Sequence, residues 1–298
     1  NNAFMSFKKL FLLVLLIGFT SVTQAQHYLG YNLNVGDTLK ITQVSEQEIV
    51  QKMNDQEHKI INNLGGDYLF HIKKETDSSY IINFKYDSFF MKTTSNLAGT
   101  IFNVDTKKDI NEDDVEGKIF KGLTETALEI NMLKTGKIVS LVGTEDLINN
   151  MINDLDFDNF TKEIMKESIR NEFGGESLIE SLGQFTFMYP NKTVTIGESW
   201  NNEFKGDMKA KNTWQLDKVD NNLHISCNSA ITLTSKEDTL TMSLEGTQQS
   251  VITSNKTSGW PIEAKITSIA KGISIMKGME SVEIPTTIIS TTTYKPFK

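Results

Sequence analysis

Apolar and polar residues alternate one by one over most of this chain, and helical spacing replaces that alternation only between residues 145 and 182. Alternation puts successive side chains on opposite faces of a strand, whereas an apolar residue at every third or fourth position marks one face of a helix. Tyr68, Phe70 and Ile72 thus share a face opposed to Leu69, His71 and Lys73. Ile82, Phe84 and Tyr86 likewise oppose Ile81, Asn83, Lys85 and Asp87. Past the helical stretch the pattern returns in Leu223, Ile225, Cys227, Ser229, Ile231 and Leu233, and again in Leu240, Met242 and Leu244.

These runs predict strands over 38–50, 58–64, 67–75 and 80–91, with a bulge or tight bend at Gly65-Gly66. The pattern dissolves into an acidic loop over 103–118. A hairpin over 127–133 and 137–142 then turns at Lys134-Thr135-Gly136. Pro190 and Gly197 bracket a short strand around Val194, and long strands follow over 200–216, 223–234, 239–253, 261–276 and 282–294. Strands with one apolar and one polar face belong to antiparallel sheets wetted on one side, and short links between them favour a meander. The fold class expected is mainly β (α+β): long antiparallel meander strands in one or two curved sheets, with a helical insert packed on the apolar face. A two-sheet sandwich is the rival arrangement.

In the insert, Leu147, Ile148, Met151, Ile152 and Leu155 recur at helical spacing behind Thr144, the expected N-cap. A second run, capped by Asp156 or Asp158, carries Phe157, Phe160, Ile164, Met165, Ile169 and Phe173 and stops at Gly174-Gly175. A shorter turn over 176–182 ends at Gly183. Acids Glu163, Glu167 and Glu172 mix with Lys162, Lys166 and Arg170 on the polar side. A helix lying on a membrane favours a basic polar face, so the mixture points to core packing.

The domain organisation read from this is a signal peptide over 1–25, with 1–4 as leader ahead of Met5, a β-rich half over 26–143, the helical insert over 144–183 and a second β-rich half over 184–298. The halves open alike, Gly36-Asp37-Thr38-Leu39 and Gly197-Glu198-Ser199-Trp200. Lys8 and Lys9 precede an apolar core over 10–19 too short to span a bilayer, and Thr23-Gln24-Ala25 fits a cleavage site. Mature protein is expected to begin near Gln26 and to be exported, either periplasmic or secreted.

The net charge is −8 at pH 7 and grows more negative once Lys8 and Lys9 leave with the signal. That disfavours nucleic acid and anionic membrane as partners, since both reward positive patches. Cys227 is the single cysteine, so no internal disulfide forms, and its distance from the signal excludes lipid anchoring at the cleavage site.

Candidate chemistry is sparse. His224 and Cys227 lie three apart on a strand and so face opposite ways, while His27, His58 and His71 are scattered, which argues against a zinc site. Asp109-Ile110-Asn111-Glu112-Asp113 and Asp154, Asp156 and Asp158 offer oxygens at alternate positions, but neither run has the glycine and closing carboxylate of a calcium loop. No Gly-x-Ser-x-Gly stands in the chain, and Leu64-Gly65-Gly66-Asp67 and Phe173-Gly174-Gly175-Glu176 read as bend and cap rather than phosphate loops. No catalytic, cofactor or metal residue is therefore assigned. Trp200, Phe204 and Trp214, at even separations, either fill a core or line an apolar cavity.

Met132-Leu133-Lys134-Thr135-Gly136-Lys137-Ile138, Gly143-Thr144-Glu145-Asp146-Leu147-Ile148-Asn149-Asn150-Met151 and Ile284-Pro285-Thr286-Thr287-Ile288, together with Gly36-Asp37-Thr38-Leu39, resemble an uncharacterised family of exported bacterial proteins. The resemblance covers nearly all the mature chain. It implies export and one continuous unit, and it brings no functional residues with it.

One helical stretch is small cover for so many half-apolar strands. The function expected is therefore an exported carrier for an apolar molecule such as a lipid, held between curved sheet and helices. A structural or protein-interaction module of the cell envelope is the alternative, and an enzyme of unrecognised type the second. A cavity of roughly 300 Å³ or more is the expected sign of a carrier.

Overall fold

The computed structural model describes residues 25–53, 56–111, 113–236, 240–278 and 282–297. Residues 1–24 of the proposed signal peptide and Glu112 of the first calcium candidate lie outside the described residues.

The elements run β1 (Gln26–Leu29), β2 (Thr38–Met53), β3 (Gln56–Glu75), β4 (Ser79–Ser95), β5 (Gly99–Asp105), α1 (Val115–Glu125), β6 (Ala127–Leu133) and β7 (Ile138–Val142). Then come α2 (Thr144–Ile152), α3 (Asn159–Phe173), α4 (Gly175–Thr186), β8 (Lys192–Thr195), β9 (Ser199–Phe204) and β10 (Met208–Val219). The chain finishes with β11 (Asn222–Lys236), β12 (Leu240–Asn255), β13 (Pro261–Met276) and β14 (Glu283–Lys295).

Among the described residues one antiparallel sheet holds twelve strands, in the order β7-β6-β4-β3-β2-β14-β13-β12-β11-β10-β9, with β5 also on β4. β1 and β8 form a small separate pair. The fold is thus mainly β and antiparallel, with a helical layer on the apolar face, and among the described residues the β1–β8 pair is too small to make the second sheet of a sandwich. The first and last long strands, β2 and β14, pair through Thr42 to Gln51, so strands from both ends of the chain share one sheet.

The sheet curls around α4. Phe185 of this helix stacks on Tyr294 of the central strand β14, while the helix also packs on the edge strand β7. At the opposite edge a Cβ placed on Gly206, in the turn between β9 and β10, would fall 2.0 Å from Glu180 of α4. A helix that touches the centre and both edges of so broad a sheet requires the sheet to be strongly concave.

Several local expectations change. Residues 200–216 are two strands rather than one, turning near Gly206, so Trp200 and Trp214 face each other across β9 and β10 instead of following one another along a strand. The 103–118 segment contains the end of β5 and the start of α1, whose N-cap is Asp114: its carboxylate accepts from Gly117 N at 2.8 Å. A short helix among acids shows no long apolar stripe, which is why it read as a loop. β3 is continuous through Gly65-Gly66, with register shifts after Asp67 and after Ile72.

The insert differs in its caps. Gly143, not Thr144, is the N-cap of α2, and no side chain bonds there. Asp158 caps α3 as expected, accepting from Thr161 N. The final turn does not stop at Gly183 but continues to Thr186, whose hydroxyl donates to the carbonyls of Leu182 and Gly136.

α3 is the larger correction. None of its residues is fully buried, and Phe160 and Ile164 are 75% and 56% exposed. Met165, Ile169 and Phe173 do border the core. The apolar stripe is wider than the contact available to it, because α2 and α4 already occupy the concavity.

Candidate functional site

The inward face of the large sheet is the candidate site. Inward residues identify themselves by alternate burial and by register: Tyr294 lies opposite Ala264 and Gln43, and Ile288 opposite Ala270 and Ile49. At the helical end this face joins α2 and α4 in the main core, which includes Phe70, Phe84, Trp214, Leu182 and Phe185. Farther along the strands, Ala210, Ile231, Leu244, Ala270 and Ile288 form a second, separate apolar cluster.

What divides the two clusters is a line of polar side chains. Reading across the registered strands, Asn202 lies opposite Asn212, Asn212 opposite Ser229, Ser229 opposite Gln248, and Gln248 opposite Ser268. The line goes on through Ser290, Gln47, Asn62 and Thr93. Every strand from β9 to β4 in sheet order contributes one neutral amide or hydroxyl.

On β10 to β12 the belt residues Asn212, Ser229 and Gln248 are buried, and Asn202, Asn212 and Ser229 bond one another. Asn212 Nδ2 and Trp214 Nε1 both donate to Asn202 Oδ1 at 2.9 Å, and Ser229 Oγ donates to Asn212 Oδ1 at 2.6 Å. Internal partners are what make burial of such groups tolerable. The half on β13 to β4 is only partly buried. There Ser268 and Ser290 hydroxyls meet at 2.7 Å, Asn62 Nδ2 donates to Gln47 Oε1 at 3.1 Å, and Thr93 Oγ1 donates to Asn62 Oδ1 at 2.9 Å.

The same face carries no formal charge. Over the registered stretches 39–51, 58–72, 82–95, 200–204, 208–216, 223–233, 242–254, 264–274 and 284–294, no inward position holds Asp, Glu, Lys or Arg. Charged residues of these strands, such as Glu46, Glu48, Lys265 and Lys271, point outward.

The last residue of α4 and the segment after it strap the two free edges of the sheet. On the β6–β7 side, Thr186 Oγ1 donates to Gly136 O at 2.7 Å. On the β9 side, Asn202 Nδ2 donates to Phe187 O and Trp200 Nε1 to Met188 O, at 2.8 and 2.7 Å. Tyr31 OH donates to Thr186 O at 2.8 Å, tying in the chain ahead of β2.

Beneath α4, Tyr68, Tyr86, Tyr294 and Gln43 surround a pocket of about 20 Å³, closed above by Leu182 and Phe185. Burial, then the neighbouring Tyr86 and Tyr294, raise the Tyr68 hydroxyl well above its ordinary pKa, and burial does the same for Tyr86 and Tyr294. All three stay protonated. The large enclosed cavity expected of a carrier is not formed at this point, because Phe185 fills the space. A wider cleft of about 270 Å³ opens between α4 and the β9–β10 turn, lined by Ile179, Phe187, Phe204 and Met208 and rimmed by Lys137 and Glu180. Burial, followed by the charge of Asp207, raises the Glu180 carboxyl above its usual value.

The residues singled out in the sequence are placed apart. His224 pairs with Asp220 at 3.1 Å on the surface, and Cys227 is buried beneath it on the other face. Burial lifts the Cys227 thiol to about 11, which keeps it protonated and unreactive. His71 bonds Thr38 and His58 bonds Ser95, on opposite faces of β3. Among the described residues no three His, Cys, Asp or Glu side chains converge. Trp200 and Trp214 are core residues. The belt escaped the sequence reading. Ser229 stands in an otherwise apolar alternation, and only the register reveals that its neighbours across the strands from β9 to β4 are polar too.

A model of the family of unknown function DUF6263 matches residues 77–261. The chain belongs to this family. No curated protein matches it. Among solved structures, lipovitellin, described for its lipid–protein interactions, is similar at 8% identity and a TM-score of 0.49, over 90% of this chain and 26% of that one. This chain therefore spans about a quarter of lipovitellin's length. An outer membrane channel from Pseudomonas putida F1 is similar at 6% identity and a TM-score of 0.26, over 90% and 97% of the two chains. Salmonella typhi OmpF in complex with daunomycin gives 6% and 0.24, over 89% and 99%.

Proposed function

We propose that this chain is an exported carrier or binding protein for an apolar molecule, which lies on the concave face of the sheet beyond the helices. The observation that carries the reading is the gap between the two apolar clusters. Leu64 and Ile60 point inward on either side of the polar belt, half-buried, and belong to neither cluster, while Met91 and Ile266 pack on the main core and Ile49 on the second cluster. Covering half-exposed aliphatic groups is favourable by about 25 cal/mol per Å² of apolar area removed from water. Export rests on the order of basic, apolar and small residues over 1–25, and N-terminal sequencing of exported protein should find a start at or near Gln26.

The test is organic extraction of protein purified from cells that export it, followed by mass spectrometry of the extract. A stoichiometric apolar compound is expected. An empty extract from folded protein, with no uptake of an added fluorescent apolar probe, would contradict the carrier reading.

A second reading, an envelope interaction module, draws on one observation: Phe157, Phe160 and Ile164 lie exposed at and along α3. Serine at Phe160 and Ile164 would abolish pull-down of a partner if α3 is the contact, and would leave apolar-probe uptake unchanged if the concave face is the site.

A further inference from the structure

We infer that the molecule held on the concave face is an uncharged amphiphile, a hydrocarbon chain ending in a head that offers hydroxyl or carbonyl groups, as a monoacylglycerol does. This rests on the carrier reading and narrows it. The partly open half of the belt, Ser268, Ser290, Gln47, Asn62 and Thr93, presents neutral donors and acceptors side by side on neighbouring strands. Amides and hydroxyls both donate and accept, so they match a neutral polar head whichever way its groups point.

Over the registered stretches a carboxylate or phosphate head would find no Lys or Arg on this face, and its one histidine, His58, already bonds Ser95 Oγ at 3.0 Å. A charge brought against a surface with no counter-charge keeps its desolvation cost, whereas a neutral polar group recovers most of it through hydrogen bonds. A pure hydrocarbon would leave the belt facing apolar surface and its polar groups deprived of water. The apolar residues on both sides give the ligand's chain a place: Leu64 and Met91 toward the helices, Ile49 and Ile60 on the far side. Polar head on the belt and hydrocarbon beside it is the arrangement that satisfies both.

The test compares 1-monooleoylglycerol, oleate and octadecane as competitors for a fluorescent apolar probe on delipidated protein at pH 7.5. The proteins are wild type, a Gln47→Leu/Asn62→Leu double variant, and a Ser290→Val variant in case the double variant unfolds. Wild type should bind monooleoylglycerol at least about tenfold tighter than oleate. The double variant should lose about tenfold for monooleoylglycerol while gaining or holding affinity for octadecane, the scale of one or two hydrogen bonds. Equal binding of oleate and monooleoylglycerol, or variants that weaken all three alike, would overturn the inference and leave the carrier reading intact. Failure of every competitor and of the probe to bind wild type would overturn both.

Discussion

Phe185 of α4 stacks on Tyr294 of β14, with ring centroids 4.4 Å apart and planes inclined by 23°. The contact seats the helix at the centre of the curled sheet. It also fixes which part of the concave face is core and which part is left for a ligand. Phe185 further meets Trp260 edge-on at 5.8 Å, so a single side chain locks the helix onto β14 and onto the turn that precedes β13.

Phe185→Ala should therefore lower the free energy of unfolding by about 3–5 kcal/mol, the usual range for a buried phenylalanine. Urea denaturation followed by tryptophan fluorescence measures it. Phe185→Leu should cost less than half as much, because the leucine still fills part of the space.

Asp67 is held on the outer side of β3 by Lys107 Nζ at 2.6 Å, by the Ser88 hydroxyl at 3.1 Å and by the Thr42 hydroxyl. Burial by itself would raise its pKa, but those three hydrogen bonds and the Lys107 charge outweigh it and keep the carboxyl below its ordinary value. A folded pKa below the unfolded one gives stability that is complete above the unfolded pKa, about 3.9, and is lost as pH falls through the folded value. Asp67→Ala should cost about 1–3 kcal/mol at pH 7. The gap between variant and wild type should close between about pH 5 and pH 2 in denaturation series at each pH.

Gly66 sits in β3 where the backbone of β4 approaches closely. A Cβ there would lie 2.1 Å from the carbonyl oxygen of Ser88, a backbone atom that cannot step aside. Gly66→Ala should destabilise the fold by about 3 kcal/mol or more, read from the urea midpoint, because overlap against backbone has no cheap relief. A change within about 0.5 kcal/mol would show that the two strands are not in close contact at Gly66.

Much of the architecture was legible because strand alternation is a local property. The faces of Tyr68, Phe70 and Ile72 and of Leu223, Ile225 and Cys227 follow from a period of two, and the structure buries those faces. The pairing of β2 with β14 was not legible, since the residues that meet there, Gln47 and Ser290, are far apart in the chain. The site depends on that pairing. Ser229, Gln248, Ser268 and Asn62 are unremarked polar residues in their own strands, and they become a belt only through register. α3 misled for the opposite reason: an amphipathic stripe shows that a helix can be buried, and not whether neighbouring helices leave room for it.

Phe160 and Ile164 test that correction. Serine at both positions should leave the melting free energy within about 0.5 kcal/mol of wild type, as for other exposed sites. A loss of several kcal/mol in thermal denaturation would mean that the stripe is packed after all.

The most direct measurement is photo-crosslinking of folded, full-length mature protein with a long-chain alkyl diazirine, with the modified residues located by peptide mass spectrometry. Labels concentrated on the inward side chains Leu64, Met91, Ile266, Ile49 and Ile60 are the expected result. Labels confined to Phe160 and Ile164 of α3, or scattered over the outward face without competition by excess unlabelled ligand, would contradict a ligand site on the concave face.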